Sequence, residues 1–217
     1  MAISRIINIS LWVILSCLAI TNLSCGGLCS PGLGDNRVPL IGGTVTISPD
    51  MDSIRIGDTL LLSSYIPTKL KEQNQIGNQT IDFSGASNVI TDFNINVAIV
   101  SDSIIGGLDS FTFIPFNGTL ETNPLIPNAG KTINYVEKNG EYQFSAGIIA
   151  QKKGIYALSF IDIYQARKKC LFASIQVLMN NADDHLQYLQ AIHYPGSPFG
   201  DTIYPIEKTH TYCFKVY

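Results

Sequence analysis

From Thr44 onward, apolar and polar residues alternate with a period of two in short runs separated by Gly, Pro, Asn and Asp. This is the pattern of strands with one face buried. Thr44 to Ser48 and Ser53 to Ile56 flank a Pro49-Asp50 turn, and Gly57-Asp58 is a second turn leading into Thr59 to Tyr65. Phe93, Ile95, Val97 and Ile99 alternate with Asn94, Asn96 and Ala98, the clearest strand of the first half. Phe111 to Phe116 and Thr132 to Val136 are further strands, and Asn139-Gly140 is a hairpin signal because both residues tolerate positive φ. Tyr142 to Ala150 is expected to turn at Lys152-Lys153-Gly154 into Ile155 to Tyr164 as a second hairpin. Cys170 to Met179 and Thr211 to Val216 complete the set. Residues 67–88 are polar and read mainly as loop, with a short strand near Ile81 to Phe83.

One segment departs from this period. Asn181 can cap a helix, Asp183 and Asp184 complement its dipole, Leu186, Leu189 and Ile192 recur at helical spacing, and Pro195-Gly196 ends it. The economical architecture is one all-β sandwich over 44–217, of roughly eight to ten antiparallel strands, with one short helix in the C-terminal half.

The N-terminus has a different character. Arg5 is the only charge before Asp35, and Ile6 to Ile20 is apolar apart from Asn8, Ser10 and Ser16. The run is shorter than the about 20 apolar residues of a membrane-spanning helix. It therefore predicts a secretory signal over 1–24, the alternative being a retained anchor helix. Residues 25–43, opening on the Gly-rich run Gly26 to Gly34, are expected to form a flexible tether. Charged residues make up 14% of the 217, replaced by uncharged polar ones, and the net charge is −3. No basic run exists to neutralise phosphates, which argues against nucleic acid.

Ser24-Cys25 resembles the end of a bacterial lipobox, although Asn22 stands where an aliphatic residue is usual. Ser48-Pro49-Asp50 followed by Asp52 to Leu60 resembles the first strands of bacterial immunoglobulin-like modules. The ending Thr211 to Tyr217, with the signal and Cys25, is similar to uncharacterised exported lipoproteins of Bacteroidota. The resemblance implies an immunoglobulin-like sandwich acylated at Cys25 and held in the cell envelope. Its place would be the outer membrane, facing the periplasm or the cell surface. It implies no reaction.

Candidate chemistry is sparse. Of the five cysteines, Cys17 lies in the signal, Cys25 is the lipidation candidate and Cys29 is left over in the tether. Cys170 and Cys213 both fall on the more polar faces of their strands, and adjacent antiparallel strands can bring them within disulfide range. Such a bridge would stabilise by about 4 kcal/mol; the alternative is two buried thiols. His185, His193 and His210 have no metal-ligand spacing, and no nucleophile elbow, zinc-protease or Walker motif occurs. His185 beside Asp183 and Asp184 is expected to be a charged surface residue, and substitution of any histidine to be tolerated. Asp50, Asp52 and Asp58 could converge on calcium, but Asp at strand ends is ordinary turn chemistry. Asp followed by Ser or Thr and an aliphatic residue occurs at Ser53, Thr59, Ser103 and Thr202. These triplets resemble the acceptor of Bacteroidota O-glycosylation, and turn closure before a strand produces the same triplet.

The expectation is an envelope-anchored, non-enzymatic binding, structural or adhesion module with no cofactor and no metal. Its partners are the lipid bilayer, through the acyl anchor, and an envelope protein or glycan, with exposed strand edges as the contact. The competing class is a carbohydrate-binding protein or hydrolase of the same compartment, marked by an aromatic-lined cleft.

Overall fold

A computed structural model of the chain describes residues 37–73, 79–97, 106–169, 171–182, 188 and 207–217. In chain order the strands begin with β1 (Arg37–Ser48), β2 (Ser53–Ile54), β3 (Thr59–Pro67), β4 (Lys69–Glu72) and β5 (Thr80–Asp82). Next come β6 (Ile90–Val97), β7 (Phe111–Asn117), β8 (Thr119–Thr122), β9 (Gly130–Asn134) and β10 (Val136–Lys138). The last are β11 (Glu141–Ala150), β12 (Gly154–Phe160), β13 (Ile163–Lys168), β14 (Leu171–Met179) and β15 (Thr211–Val216). A four-residue helix, α1 (Glu207–His210), leads into β15.

The strands form two sheets. The first runs β10-β11-β3-β1-β14-β13, with β7 on the same edge of β11 as β10, and β4 linking β1 to β5. The second runs β2-β15-β12-β6-β9-β8. The architecture is thus an all-β two-sheet sandwich. Its inner faces follow the sequence alternation: Leu60, Leu62 and Ile66 of β3, Phe144, Ala146 and Ile148 of β11, and Ile175 and Val177 of β14 are fully buried. From the second sheet, Phe93, Ile95, Leu158, Tyr156, Tyr212 and Phe214 meet them. Phe93 stacks on Phe160 with centroids 5.6 Å apart, and Phe111 meets Tyr156 edge-on at 4.7 Å, geometries that suit the ring quadrupoles.

β1 holds the first sheet together. It pairs antiparallel with β3 over Thr44–Ser48 and parallel with β14 from Arg37 to Val45. The strand therefore begins at Arg37, inside the stretch expected to be tether. Gly42-Gly43 suggested a linker, but both glycines serve the strand. Gly42 takes φ +144° at the register shift, and a Cβ at position 43 would lie 2.8 Å from a Val177 methyl and 3.0 Å from the Gln176 carbonyl.

Other expectations are corrected. The sandwich is not purely antiparallel, since β1 pairs parallel with β14 and β15 with β2. Tyr142 to Ala150 and Ile155 to Tyr164 form no hairpin: β11 belongs to the first sheet and β12 to the second. The chain then returns at Ile161-Asp162 to the first sheet as β13. The 67–88 segment contains β4 and β5, whose polar residues point outward while Leu70 is 1% exposed. Asn139-Gly140 does turn β10 into β11, with φ 55° and 80°. Asn181 Oδ1 accepts from the Ile47 amide at 3.3 Å and its Nδ2 donates to the Ile47 carbonyl at 2.9 Å, while residues 183–187, where the expected helix would begin, lie outside the described residues. Of the helix expected after it, only Ala182 and Tyr188 are described up to Ile192, and Tyr188 is helical.

One tyrosine seals an end of the core. The Tyr142 hydroxyl donates to the Phe83 carbonyl and accepts from the Ala86 amide, both at 2.7 Å. Burial pushes its pKa up to about 12. Tyr142→Phe removes one partner each from the Ala86 amide and the Phe83 carbonyl, which also bond one another at 3.3 Å, and is expected to lower unfolding free energy by about 1 kcal/mol in urea titration. An unchanged midpoint would contradict the assignment.

Candidate functional site

The outer face of the first sheet is built from cross-strand rows. Thr44, Tyr65, Gln143 and Val136 face one another across β1, β3, β11 and β10. One step along, Thr46, Ser63, Ser145 and Asn117 form the next row, the last contributed by β7. The third row is Ser48, Leu61, Gly147 and Ile114, and the fourth is Thr59, Ile149 and Thr112. Phe116, at the register shift of β7, lies over Gly147, its ring 3.4 Å from where a Cβ there would sit. None of these positions carries a charge. At 3.4 Å per residue and 4.8 Å between strands, the field measures roughly 14 by 20 Å. Tyr65, Leu61, Ile114, Val136 and Phe116 are 40–60% exposed on it. Charges begin only at its margin, with Glu141 opposite Lys138.

The sheet edges are blunted instead of open. Pro115 interrupts the donors of β7, Glu137 and Lys138 sit on β10, and Arg167 and Lys168 on β13. β2 has two residues and β8 four. The edges to which the sequence pointed are thus guarded against strand addition, and the flat face is the open surface.

A second cluster joins β12, α1 and β14. His210 is 5% exposed; its Nε2 lies 3.2 Å from Asp162 Oδ1 and its Nδ1 2.7 Å from Thr209 Oγ1. The same Asp162 oxygen accepts from the buried Val177 amide at 3.0 Å. Beside it a hollow of about 310 Å³ is lined by Thr91, Asp92, Thr132 and Asp162, where the Thr132 hydroxyl donates to Asp92 at 2.6 Å. Ser159 and Thr211 pair hydroxyls at 3.0 Å on the adjoining strands. Elsewhere, two hydrogen bonds from Ser84 and one from Lys168 hold Asp82 down at about 2, and burial pushes Tyr212 up to about 12.

The residues singled out from sequence scatter. Cys25, Cys29, Cys170, Ser103, Thr202, His185 and His193 lie outside the described residues. Cys213 is 2% exposed, so its face is buried and not the polar surface expected. Its strand β15 lies between β2 and β12 in the second sheet, whereas β14 lies between β1 and β13 in the first. The strand adjacency from which the bridge was reasoned does not occur. Thr59 is exposed and Ser53 half-buried. Asp58 accepts from the Arg55 amide at 2.8 Å and Asp50 from Asn181 at 3.0 Å, which is turn and strand-end chemistry. His210, expected to be dispensable, is instead a buried link between sheet and helix.

No protein-family model matches the chain, and no curated protein matches it. Among solved structures it is similar to the Reelin-N domain of F-spondin, with TM-score 0.33 and 11% identity over 65% of this chain and 85% of that one. It is also similar to two crystal structures of the human F-spondin reeler domain, with TM-scores 0.34 and 0.33. Those two are 11% and 12% identical, and cover 69% and 67% of this chain and 93% and 86% of theirs. The similarity is distant and structural, to a β-sandwich domain, and transfers neither ligand nor activity.

The geometry at Asp162 predicts an ordering among variants. Asp162→Ala removes the acceptor of the buried Val177 amide and is expected to cost about 1–3 kcal/mol in chemical denaturation. Asp162→Asn keeps an acceptor oxygen and should cost less. Equal stability of all three proteins would contradict the pairing.

Proposed function

We propose that this chain is an exported, non-enzymatic binding or adhesion module, anchored in the envelope through acylated Cys25, that meets its partner with the outer face of the first sheet. The observation that carries this reading is the uncharged field around Tyr65, Leu61, Ile114 and Phe116. Exposed apolar area of this kind, gathered on one flat face, marks an interaction surface when the edges are guarded. Within the sandwich class, an immunoglobulin-like topology remains part of the proposal, as do outer-membrane placement and glycosylation at Ser53, Thr59, Ser103 and Thr202.

A second reading rests on one observation, the hydroxyl–imidazole–carboxylate order of Thr209, His210 and Asp162. That order is the logic of an activated nucleophile, and would make the chain a hydrolase. Thr209→Val abolishing hydrolysis of a chromogenic ester by the purified protein would establish it.

The binding reading is tested in the envelope of the native cell. A photo-crosslinking residue at Leu61 or Ile114 should capture a partner, while one at Leu125, on the loop between β8 and β9, should not. Cys25→Ala should release the protein from the membrane fraction. Silence at both face positions, or an unchanged membrane fraction for the Cys25 variant, would contradict the corresponding half of the proposal.

A further inference from the structure

We infer that the occupant of this face is a neutral glycan. The inference rests on the binding-module reading and names its ligand class. The first ground is charge. The rows contain hydroxyls, amides, aliphatics and aromatics but no ionised group, on a chain of net charge −3. A charged ligand laid on this field would surrender its hydration without gaining a counter-charge. Arg is enriched at protein interfaces, and this face offers it no carboxylate until its margin.

The second ground is the order of the groups. Tyr65 and Val136 stand in the first row and Leu61 and Ile114 in the third, and the row between them is entirely Thr46, Ser63, Ser145 and Asn117. Asn117 Nδ2 already donates to Ser145 Oγ at 3.0 Å, which orients that amide and hydroxyl as a fixed pair. Tyr65 and Phe116 stand on either side of this hydroxyl row, four residues apart along the strand direction, roughly 14 Å. A sugar ring has the complementary anatomy. Its C–H face carries slight positive charge and stacks on the negative face of an aromatic ring, and its hydroxyls lie around the rim where side-chain hydroxyls and amides can meet them. Two aromatics separated by a hydroxyl row fit several linked sugar units on a flat platform better than a single sugar in a cleft.

The test is affinity electrophoresis of the whole mature chain in native gels cast with hydroxyethylcellulose, mixed-linkage β-glucan, soluble starch, xylan or galactomannan, against alginate as the charged control. Retardation is expected in at least one of the neutral polymers and not in alginate, and it should persist in 0.5 M salt, because no ion pair is involved. Tyr65→Ala and Phe116→Ala should each weaken it about tenfold, with the thermal midpoint within a degree or two of the parent because both side chains are exposed. Tyr65→Trp should restore retardation, and Leu125→Ala should leave it unchanged. No retardation in any of the neutral polymers, retardation lost in salt, or indifference to both aromatic variants would overturn the glycan inference. If Leu61 crosslinks an envelope protein while the gels stay silent, the glycan inference fails and the binding-module reading survives. If the crosslink is also absent, both fail.

Discussion

Everything in the first sheet depends on β1 lying between β3 and β14. On one side it meets the next strand of its own sheet; on the other, a strand more than a hundred residues later in the chain. The parallel pairing with β14 is possible only because position 43 has no side chain to strike Val177 and the Gln176 backbone. Asn181, just past β14, then pins the far end of β1 by exchanging two hydrogen bonds with Ile47. Loop-closure entropy makes such a long-range contact costly to form, so the buried Leu40, Val45 and Ile47 that β1 brings must offset it.

With β1 in place, the side-chain alternation of the strands around it is in phase. Inner positions meet the second sheet's aromatics, and outer positions fall into the uncharged rows. The face is therefore a consequence of register: a slip of one residue in β3 would turn Leu60 and Leu62 outward and Thr59, Leu61 and Ser63 inward. The two functional readings differ in how they depend on this frame. The flat face needs five strands in phase, whereas Thr209, His210 and Asp162 need only the local meeting of α1 with the turn after β12.

Much of the sandwich was legible in the sequence, because period two reports burial directly at Leu60, Leu62, Phe93, Ile95 and Phe144. What period two cannot report is which sheet a strand joins, and this is why β11 and β12 read as a hairpin although they sit in different sheets. The start of β1 was hidden by Gly42-Gly43, whose tether-like composition in fact answers a steric demand from Val177, invisible along the chain. The outward residues Thr59, Leu61, Ser63 and Tyr65 could be named from sequence, but their uncharged neighbours on β11 and β7 appear only once the register is known. His210 had no local signal at all. Its partner Asp162 is 48 residues away.

The claim that β1 unites the sheet into one cooperative frame for its outer face is tested most directly by native-state amide hydrogen exchange. The account predicts that Val45 and Ile47 in β1 exchange through the same opening free energy as Phe144 and Ala146 in β11 and Ile175 in β14, equal to that of global unfolding. Exchange of β1 through a smaller, separate opening, with β3 and β11 still protected, would contradict it.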